Sequence, residues 1–528
     1  MKRIKMLWKN RYLAGFFALI MIYQAISPSL DVAANEIHKV HLADTIGAYF
    51  ETDITKEPQR NEEEAPEEPT EKIKKEATVY EEGSPYSEDK EIISQRSENS
   101  KTYQLEDGTY VSELYFEPIH KKEGDGYVEI DNTLESTHTL YNGETIYENK
   151  DGLYEFSVAG DTMQMRDEAG HEFTIINEEA DVSVYDVKEN VILYSEAYPN
   201  MDMEYRLRGN NVSANFIING VTETDKIRFT IQKGDLSIRE QVDALEFMDG
   251  EEVIFAYTKA MLYDGDHRMK QADLDYTEKG DTVEVTLTID QTWINDAQRV
   301  YPVMMSTSTI KTTSDVAIQT SYIRSYYPSE TSQYYDLFVG YDDGMQSGVS
   351  GGMGITRTYV HISDLKIGNN QEIVSADLLL NKSTVYTNQW NTIQVGKTSS
   401  YVNPANINWG NKPSVTAIST KTVDSFWDYQ SFDITSYIKD IYAGKNKTLE
   451  LRATNESSAY IANVFSGESS TYRPKVVLTH RDDFDVNPEL DIDKFDTEMR
   501  IFSILNKGFE AMSFDGIAKP NSAVQFQL

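Results

Sequence analysis

Cysteine is absent from the 528 residues of this sequence, and basic residues are scarce. Without cysteine there are no disulfides, no thiol nucleophile and no cysteine-ligated zinc. Lys and Arg number 49 against 87 Asp and Glu, which gives a formal net charge of −38 at pH 7. Because so negative a chain repels phosphate groups, we expect neither nucleic acid nor anionic lipid as a partner.

Short catalytic motifs are also missing. The sequence contains no Gly-x-Ser-x-Gly nucleophile elbow, no His-Glu-x-x-His zinc motif and no Walker phosphate loop. With 87 acidic residues, it cannot single out the carboxylate pair that a glycoside hydrolase needs. We therefore expect that the protein is not an enzyme, and we keep a polysaccharide lyase or hydrolase as the residual alternative.

The longest apolar run lies at the amino terminus. A basic stretch at residues 2–11 precedes an apolar run at 12–26, then Pro28 and small residues up to Ala34 follow. This order is typical of a secretory signal peptide, and we place cleavage after Ala34. The alternative is an uncleaved anchor, but the run is shorter than the ~20 residues that span a bilayer. We predict a secreted, extracellular protein with no membrane span after cleavage, and export without cysteine favours a Gram-positive source.

Acidic segments lie on both sides of the predicted folded part. Residues 35–100 have few large apolar side chains and include the stretch NEEEAPEEP at 61–69. Such a segment cannot bury enough apolar surface to offset the entropy lost on ordering, so we predict a disordered acidic spacer. Residues 481–528 are predicted to form an acidic connector and a short β tail.

Between these segments the sequence alternates with the period of β-strands. In residues 101–305, the stretches at 153–158 and 283–289 alternate apolar and polar residues, and Asp-Gly pairs mark turns. Residues 306–480 repeat the pattern in short segments such as LFVGY at 337–341 and TLELR at 448–452. The predicted fold class is all-β: an N-terminal β-rich domain at 101–305 and an antiparallel, jelly-roll-like β-sandwich at 306–480.

Four ordered motifs in the second domain resemble a known family. They are RTYVHISDL at 357–365, INWGNKP at 407–413, FDIT at 432–435 and RPKVV at 473–477. Together they resemble the DNRLRE domain, also classed as carbohydrate-binding module family 96. The resemblance implies that a polysaccharide or cell-wall glycan is the partner.

The first domain has a resemblance of its own. The motifs YVEIDNTL at 127–134, PNMDMEY at 199–205 and RVYPV at 299–303 resemble the region that precedes the DNRLRE domain in wall-associated RHS/YD-repeat proteins of Gram-positive bacteria. This implies a location at the cell wall. Residues 304–306, MMS, depart from the family pattern, and no YD repeat follows them, so no toxin activity is carried over.

Aromatic residues in polar surroundings are the best candidates for a sugar-binding site. Flat rings stack on the apolar face of a pyranose, while amides bind its hydroxyls. Trp390 and Trp427 are the predicted platforms, and Tyr386, Asn388 and Asn391 are their predicted neighbours. Alternatively, the tryptophans close the ends of the sandwich. Trp409, inside its motif, is interpreted as a core anchor rather than a platform.

A cation site is the remaining candidate. Asp342 and Asp343 end a predicted strand and could bind calcium through carboxylate oxygens. An Asx turn is the other interpretation of these residues and the one we favour. No other cofactor is expected.

Taken together, these features predict a secreted, non-catalytic surface protein whose second domain binds a polysaccharide. The alternative is a structural or delivery module of an RHS-type wall-associated protein that has protein partners only.

Overall fold

A computed structural model describes residues 72–78, 85–141, 143–266, 268–312, 317–334, 337–344, 351–382, 391–423, 429–457, 463–465 and 473–483. The predicted signal peptide, most of the predicted spacer and nearly all of 481–528 lie outside these residues. Within them, no helix is long and apolar enough to cross a membrane.

The described residues up to 312 form twenty-two strands. They are β1 (Ser100–Gln104), β2 (Tyr110–Tyr115), β3 (His120–Glu123), β4 (Gly126–Glu129), β5 (Asp131–Tyr141), β6 (Glu144–Asp151), β7 (Glu155–Ala159), β8 (Thr162–Arg166), β9 (Glu172–Ile176), β10 (Tyr185–Lys188), β11 (Val191–Tyr198), β12 (Met201–Arg208), β13 (Asn211–Ile218), β14 (Lys226–Gln232), β15 (Ser237–Glu240), β16 (Ala244–Asp249), β17 (Glu252–Thr258), β18 (Met261–Tyr263), β19 (Met269–Gln271), β20 (Asp273–Lys279), β21 (Thr282–Thr288) and β22 (Val303–Lys311).

The described residues from 317 onward form eleven more strands. They are β23 (Ile318–Arg324), β24 (Tyr327–Ser332), β25 (Leu337–Asp342), β26 (Gly354–Ile362), β27 (Gln371–Asn381), β28 (Asn391–Thr398), β29 (Val415–Val423), β30 (Tyr429–Asp433), β31 (Leu449–Ala453), β32 (Asn463–Phe465) and β33 (Lys475–Asp482). Two short α-helices, α1 (Gln291–Ile294) and α2 (Thr435–Tyr442), and 3-10 turns at Glu88–Lys90, Ile93–Gln95 and Pro404–Asn406 complete the described elements.

Two sheets pack face to face to form a first sandwich. One has ten strands, with the main order β10-β11-β12-β13-β22-β17-β16-β15, and the other has eight, in the order β20-β21-β14-β9-β8-β7-β6-β5. Alternation supplies the core: in β21, Val283, Val285 and Leu287 are buried, and the residues between them are not. The prediction of an all-β fold built from antiparallel sheets is confirmed.

A second sandwich surrounds a separate apolar core. Its larger sheet has eight strands, with the main order β24-β23-β26-β31-β28-β29, and its smaller sheet has five, in the order β1-β2-β33-β27-β30. Val360 and Leu451 of the larger sheet share this core with Leu378 and Leu478 of the smaller one. Helix α2 closes the core with its buried Tyr437 and Ile438.

Strands β1 and β2 depart from the predicted domain division. The sequence assigns them to the N-terminal domain, but β2 pairs along its whole length with β33, from Tyr110↔His480 to Tyr115↔Lys475. Leu114 of β2 enters the second core. Residues 100–115 therefore complete the second sandwich. Local alternation predicts β structure in this region and leaves the distant partner of these two strands undetermined.

Part of the predicted spacer is packed against the first sandwich. We call residues 72–78 (KIKKEAT) the strap. Ala77 of the strap is buried against Val191 and Leu193 of β11, and the Lys75 ammonium lies 2.6 Å from the carboxylate of Asp202. The structure thus differs from the predicted disorder here, because lysines concentrated in this short stretch meet aspartates of the sheet.

The two sandwiches meet through a small apolar cluster and a buried carboxylate. Met261 and Met269 of the first pack with Tyr322 and Phe338 of the second. Asp243 accepts hydrogen bonds from the backbone N–H groups of residues 333 and 334, at 2.9 and 3.0 Å. These contacts hold the first sandwich against the β23 to β25 side of the second.

Candidate functional site

Four of the five predicted sugar-binding residues, Tyr386, Asn388, Trp390 and Trp427, lie outside the described residues. The fifth, Asn391, is the first residue of β28, and only its backbone is described. Asn391 pairs with Val423, the last residue of β29. The chain segments that carry Trp390 and Trp427 therefore join the same end of the β28–β29 pair. The role of these residues stays a prediction.

Starting from that end, polar side chains line the face of the larger sheet that points away from the core. Arg357 and Tyr359 project from β26, Glu450 and Arg452 from β31, and Gln394 from β28, on neighbouring strands. We call these five residues the arginine face. Period-two alternation sends their side chains outward while Val360, Leu451 and Val395 point into the core.

Glu450 holds the two arginines together. Its side chain is fully buried, and its carboxylate lies 3.5 Å from Nη1 of Arg357 and 3.4 Å from Nε of Arg452. The Tyr359 hydroxyl donates a hydrogen bond to the same carboxylate. Burial and the adjacent Glu450 raise the pKa of Tyr359, so its hydroxyl stays protonated as a donor. Like charges on neighbouring strands are tolerated because this carboxylate lies between them.

Further partners orient the two guanidinium groups. Glu456 accepts two hydrogen bonds from Arg357, at 2.8 Å from Nε and 2.9 Å from Nη2. In the amide orientation that satisfies both groups, Gln394 Oε1 accepts from Nε and Nη2 of Arg452 at 3.0 and 2.8 Å. Such planar, bidentate pairing fixes donor directions, which suits recognition of hydroxyl and amide groups on a ligand.

Trp409 covers one end of the arginine face. It is partly buried against Ile323, Tyr359 and Ile407, in a small cluster separate from the main core of the sandwich. The Arg357 guanidinium carbon lies 5.1 Å from its ring centroid, and the Lys412 ammonium nitrogen lies 4.1 Å from it. Burial, together with the nearby Arg357, lowers the pKa of Lys412. The indole thus holds two cations at the edge of the face.

Sequence reasoning missed the arginine face. Arg357 lies within the first family motif, and Arg452 lies within one of the alternating segments, so their outward direction could be predicted. That Glu450, Glu456 and Gln394 converge on them depends on strand order, which alternation does not reveal. A search for charged residues at outward positions of predicted strands would have found the two arginines.

The predicted cation ligands form a turn. Asp342 is buried, and its Oδ1 accepts from the Gly344 N–H at 3.1 Å while its Oδ2 accepts from the Met353 N–H at 2.8 Å. The first contact is the favoured Asx turn. Asp343 is exposed. No group of three or more His, Cys, Asp or Glu side chains in the described ranges could hold a metal ion. Calcium binding by this pair stays a prediction.

Three relatives show what the chain is similar to. It is 25% identical over 458 residues to the tRNA nuclease WapA of Bacillus subtilis (strain 168), a match that covers 79% of this chain and 19% of that protein. It is 24% identical over 519 residues to the tRNA3(Ser)-specific nuclease WapA of Bacillus spizizenii, covering 91% and 21%. A wall-associated protein of Geobacillus stearothermophilus is 30% identical over 135 residues, covering 22% and 51%.

These relatives correct one expectation and weaken another. The prediction that the protein is not an enzyme is wrong, because most of the chain aligns with proteins named as tRNA nucleases. The exclusion of nucleic acid as a partner loses support for the same reason. The chain spans about a fifth of the length of these nuclease relatives.

The second sandwich has a match to a family model. The model is that of carbohydrate-binding module family 96, and it covers residues 306–480. The match contains the arginine face, Trp409 and all four motifs quoted from the sequence. Residues 306–480 are therefore a domain of carbohydrate-binding module family 96.

Proposed function

We propose that this protein is secreted and binds a polysaccharide of the bacterial cell wall through its second sandwich. The family match over residues 306–480 carries the proposal. The similarity to a wall-associated protein supports a location at the wall or outside the cell. The predicted signal peptide supports export.

The proposed site joins the arginine face to the segments that carry Trp390 and Trp427. Both segments leave the β28–β29 pair at the Asn391↔Val423 end, next to Gln394 and Arg452. We propose that the two tryptophans stack on sugar rings while Tyr386, Asn388 and Asn391 bind hydroxyl groups. The guanidinium and amide groups of the arginine face extend this set of donors and acceptors.

Affinity at such a site comes mainly from the rings. Each stacked aromatic contributes about 1 kcal/mol, and a few stacked sugars give dissociation constants of roughly 10 µM to 1 mM. Replacing both tryptophans should therefore weaken binding about 30-fold. Asp342 and Asp343 are proposed calcium ligands that would act on loop geometry, so binding is measured with calcium and with a chelator.

The test is co-sedimentation of the full chain with protein-free Gram-positive cell-wall sacculi. The W390A/W427A variant should bind about 30-fold more weakly, because both stacking platforms are lost. The control is Y401A, which removes an exposed aromatic ring beyond the opposite end of β28. Wild-type protein that fails to sediment with sacculi at millimolar glycan would refute the proposal and favour a delivery module with protein partners only.

The names of the relatives favour a second candidate function, cleavage of tRNA. Because this chain spans about a fifth of those proteins, the activity requires a direct assay. Incubation of the purified chain with total tRNA, followed by denaturing gel electrophoresis, gives the result. Fragments that form in proportion to enzyme concentration would support the activity, and intact tRNA after prolonged incubation would exclude it for this chain.

A further inference from the structure

Two tyrosines form a pair outside the arginine face. Tyr326 lies in the turn between β23 and β24, and Tyr341 lies on β25. Their rings meet edge to face, with centroids 6.5 Å apart and an interplanar angle of 89°. Their hydroxyl oxygens are 2.9 Å apart, so one donates to the other. Tyr326 is nevertheless 53% exposed, so the pair keeps a large ring surface open to solvent.

The backbone holds the Tyr326 ring in place from one side. Gly354 begins β26 with a φ of +70°, and a Cβ atom at this position would lie 2.6 and 2.8 Å from two carbons of the Tyr326 ring. The ring therefore rests where a side chain would otherwise stand. Ser325 accepts a hydrogen bond from the Ile355 N–H at 2.7 Å, and the Tyr326 N–H donates to the Met353 carbonyl at 3.2 Å. A ring fixed before the ligand arrives loses little entropy on binding.

The pair lies at the same end of the sheet as the proposed sugar site. In β26 and β31, Thr358 pairs with Leu451, and in β31 and β28, Ala453 pairs with Ile393. Strands β26 and β28 are both antiparallel to β31, so they run in the same direction and begin at the same end of the sheet. At residues 354–356, β26 pairs with β25, the strand that carries Tyr341.

The carboxylates near the tyrosine pair favour a neutral sugar over an anionic one. Asp342 and the exposed Asp343 follow Tyr341 directly. The hydrogen bond with Tyr326, together with burial and these two carboxylates, raises the pKa of Tyr341. The Tyr341 hydroxyl therefore stays protonated. An anionic sugar would be repelled here, both by these carboxylates and by the net charge of the whole chain.

We propose that Tyr326 and Tyr341 form a further subsite that binds the C–H face of a neutral pyranose on the exposed Tyr326 ring. The inference rests on the proposed function, because it places the subsite on the same polysaccharide chain. The Tyr341 hydroxyl, 2.9 Å from that of Tyr326, lies beside the ring and can bind a sugar hydroxyl. The fixed, half-exposed ring distinguishes the pair from the buried tyrosines of the core.

The experiment uses the full chain with the same sacculi, before and after acid stripping of their anionic polymers. Y326A should weaken binding about fivefold on both preparations, since one stacked ring is lost. Y326F keeps the ring and should bind within about twofold of the wild type, which separates stacking from hydrogen bonding. Y401A is again the control, and thermal unfolding checks that each variant is folded.

Each outcome has a distinct meaning. If W390A/W427A loses binding and Y326A does not, the subsite is refuted while the proposed function stands. If Y326A weakens binding only before stripping, the ligand is anionic and the neutral class is refuted. If the wild-type protein binds neither preparation, the proposed function fails and the subsite fails with it. Equal loss on both preparations, with Y326F and Y401A unaffected, supports the subsite.

Discussion

Replacing Glu113 by glutamine tests whether residues 100–115 are an essential part of the second sandwich. Glu113 lies on β2, and Lys475, on the adjacent β33, places its ammonium nitrogen 2.6 Å from Glu113 Oε1. The two side chains are only 1% and 5% exposed. The Tyr115 hydroxyl donates to the other oxygen of Glu113 at 2.8 Å. The pair therefore joins an N-terminal strand to the last strand of the module, away from water.

The expected cost follows from burial. Removing one partner of a buried ion pair leaves the other charge uncompensated and destabilises a protein by about 3–5 kcal/mol. E113Q keeps the shape and one acceptor oxygen, so we expect the lower end, about 3 kcal/mol. The double variant E113M/K475M removes both charges and should be nearly as stable as the wild type. The order of stability is thus wild type, then the double variant close to it, then E113Q well below.

Chemical denaturation followed by circular dichroism measures these differences. E372Q is the matched control, because Glu372 of the same sheet pairs with the exposed Arg481, and it should leave the unfolding midpoint unchanged. If E113Q unfolds at the same denaturant concentration as E372Q, the buried pair does not hold β2 to β33. Residues 100–115 would then not be integral to the module.

Three further predictions use the same preparations. A fragment of residues 306–480 should aggregate or remain unfolded, because it lacks β2 and so leaves the edge of β33 and Lys475 unpaired. A fragment of residues 72–483 contains β2 and should show a cooperative unfolding transition by calorimetry. The hydrogen bond that His171 donates to the Asp167 carboxylate raises the pKa of His171, so protonated His171 adds stability below about pH 6.5 that is lost as pH rises through its folded pKa. The melting temperature of H171Q should therefore fall below that of the wild type at about pH 5.5 and equal it near pH 8.5, and an equal difference at both would contradict this. K75A should lower the free energy of unfolding by about 1 kcal/mol and speed proteolysis within the strap, because the carboxylate partner of Lys75, Asp202, is buried. Lys74 is more exposed, so K74A should change the free energy of unfolding by under about 0.5 kcal/mol.

Much of the architecture was predictable because it is encoded locally. Apolar residues alternate along β21 and β31 in the sequence, and the same residues enter the two cores in the structure. The Asp249-Gly250 pair predicted a turn, and the chain does turn there: β16 ends at Asp249 and β17 begins at Glu252. Of the candidate site, the outward direction of Arg357 was within reach of the same reasoning. Its bidentate contact with Glu456 was not, because 99 residues separate the two in the chain.

By itself, the sequence determined the all-β class, the antiparallel sandwich at 306–480 and its family, since side-chain alternation and short motifs are properties of neighbouring residues. Only the tertiary structure decided that β1 and β2 complete that sandwich, that the strap packs on the first one, and that Tyr326 and Tyr341 meet. Each of these depends on contacts between segments that are distant in the chain. Edge strands and complementary charges have many possible partners in a chain of this length, and packing selects among them.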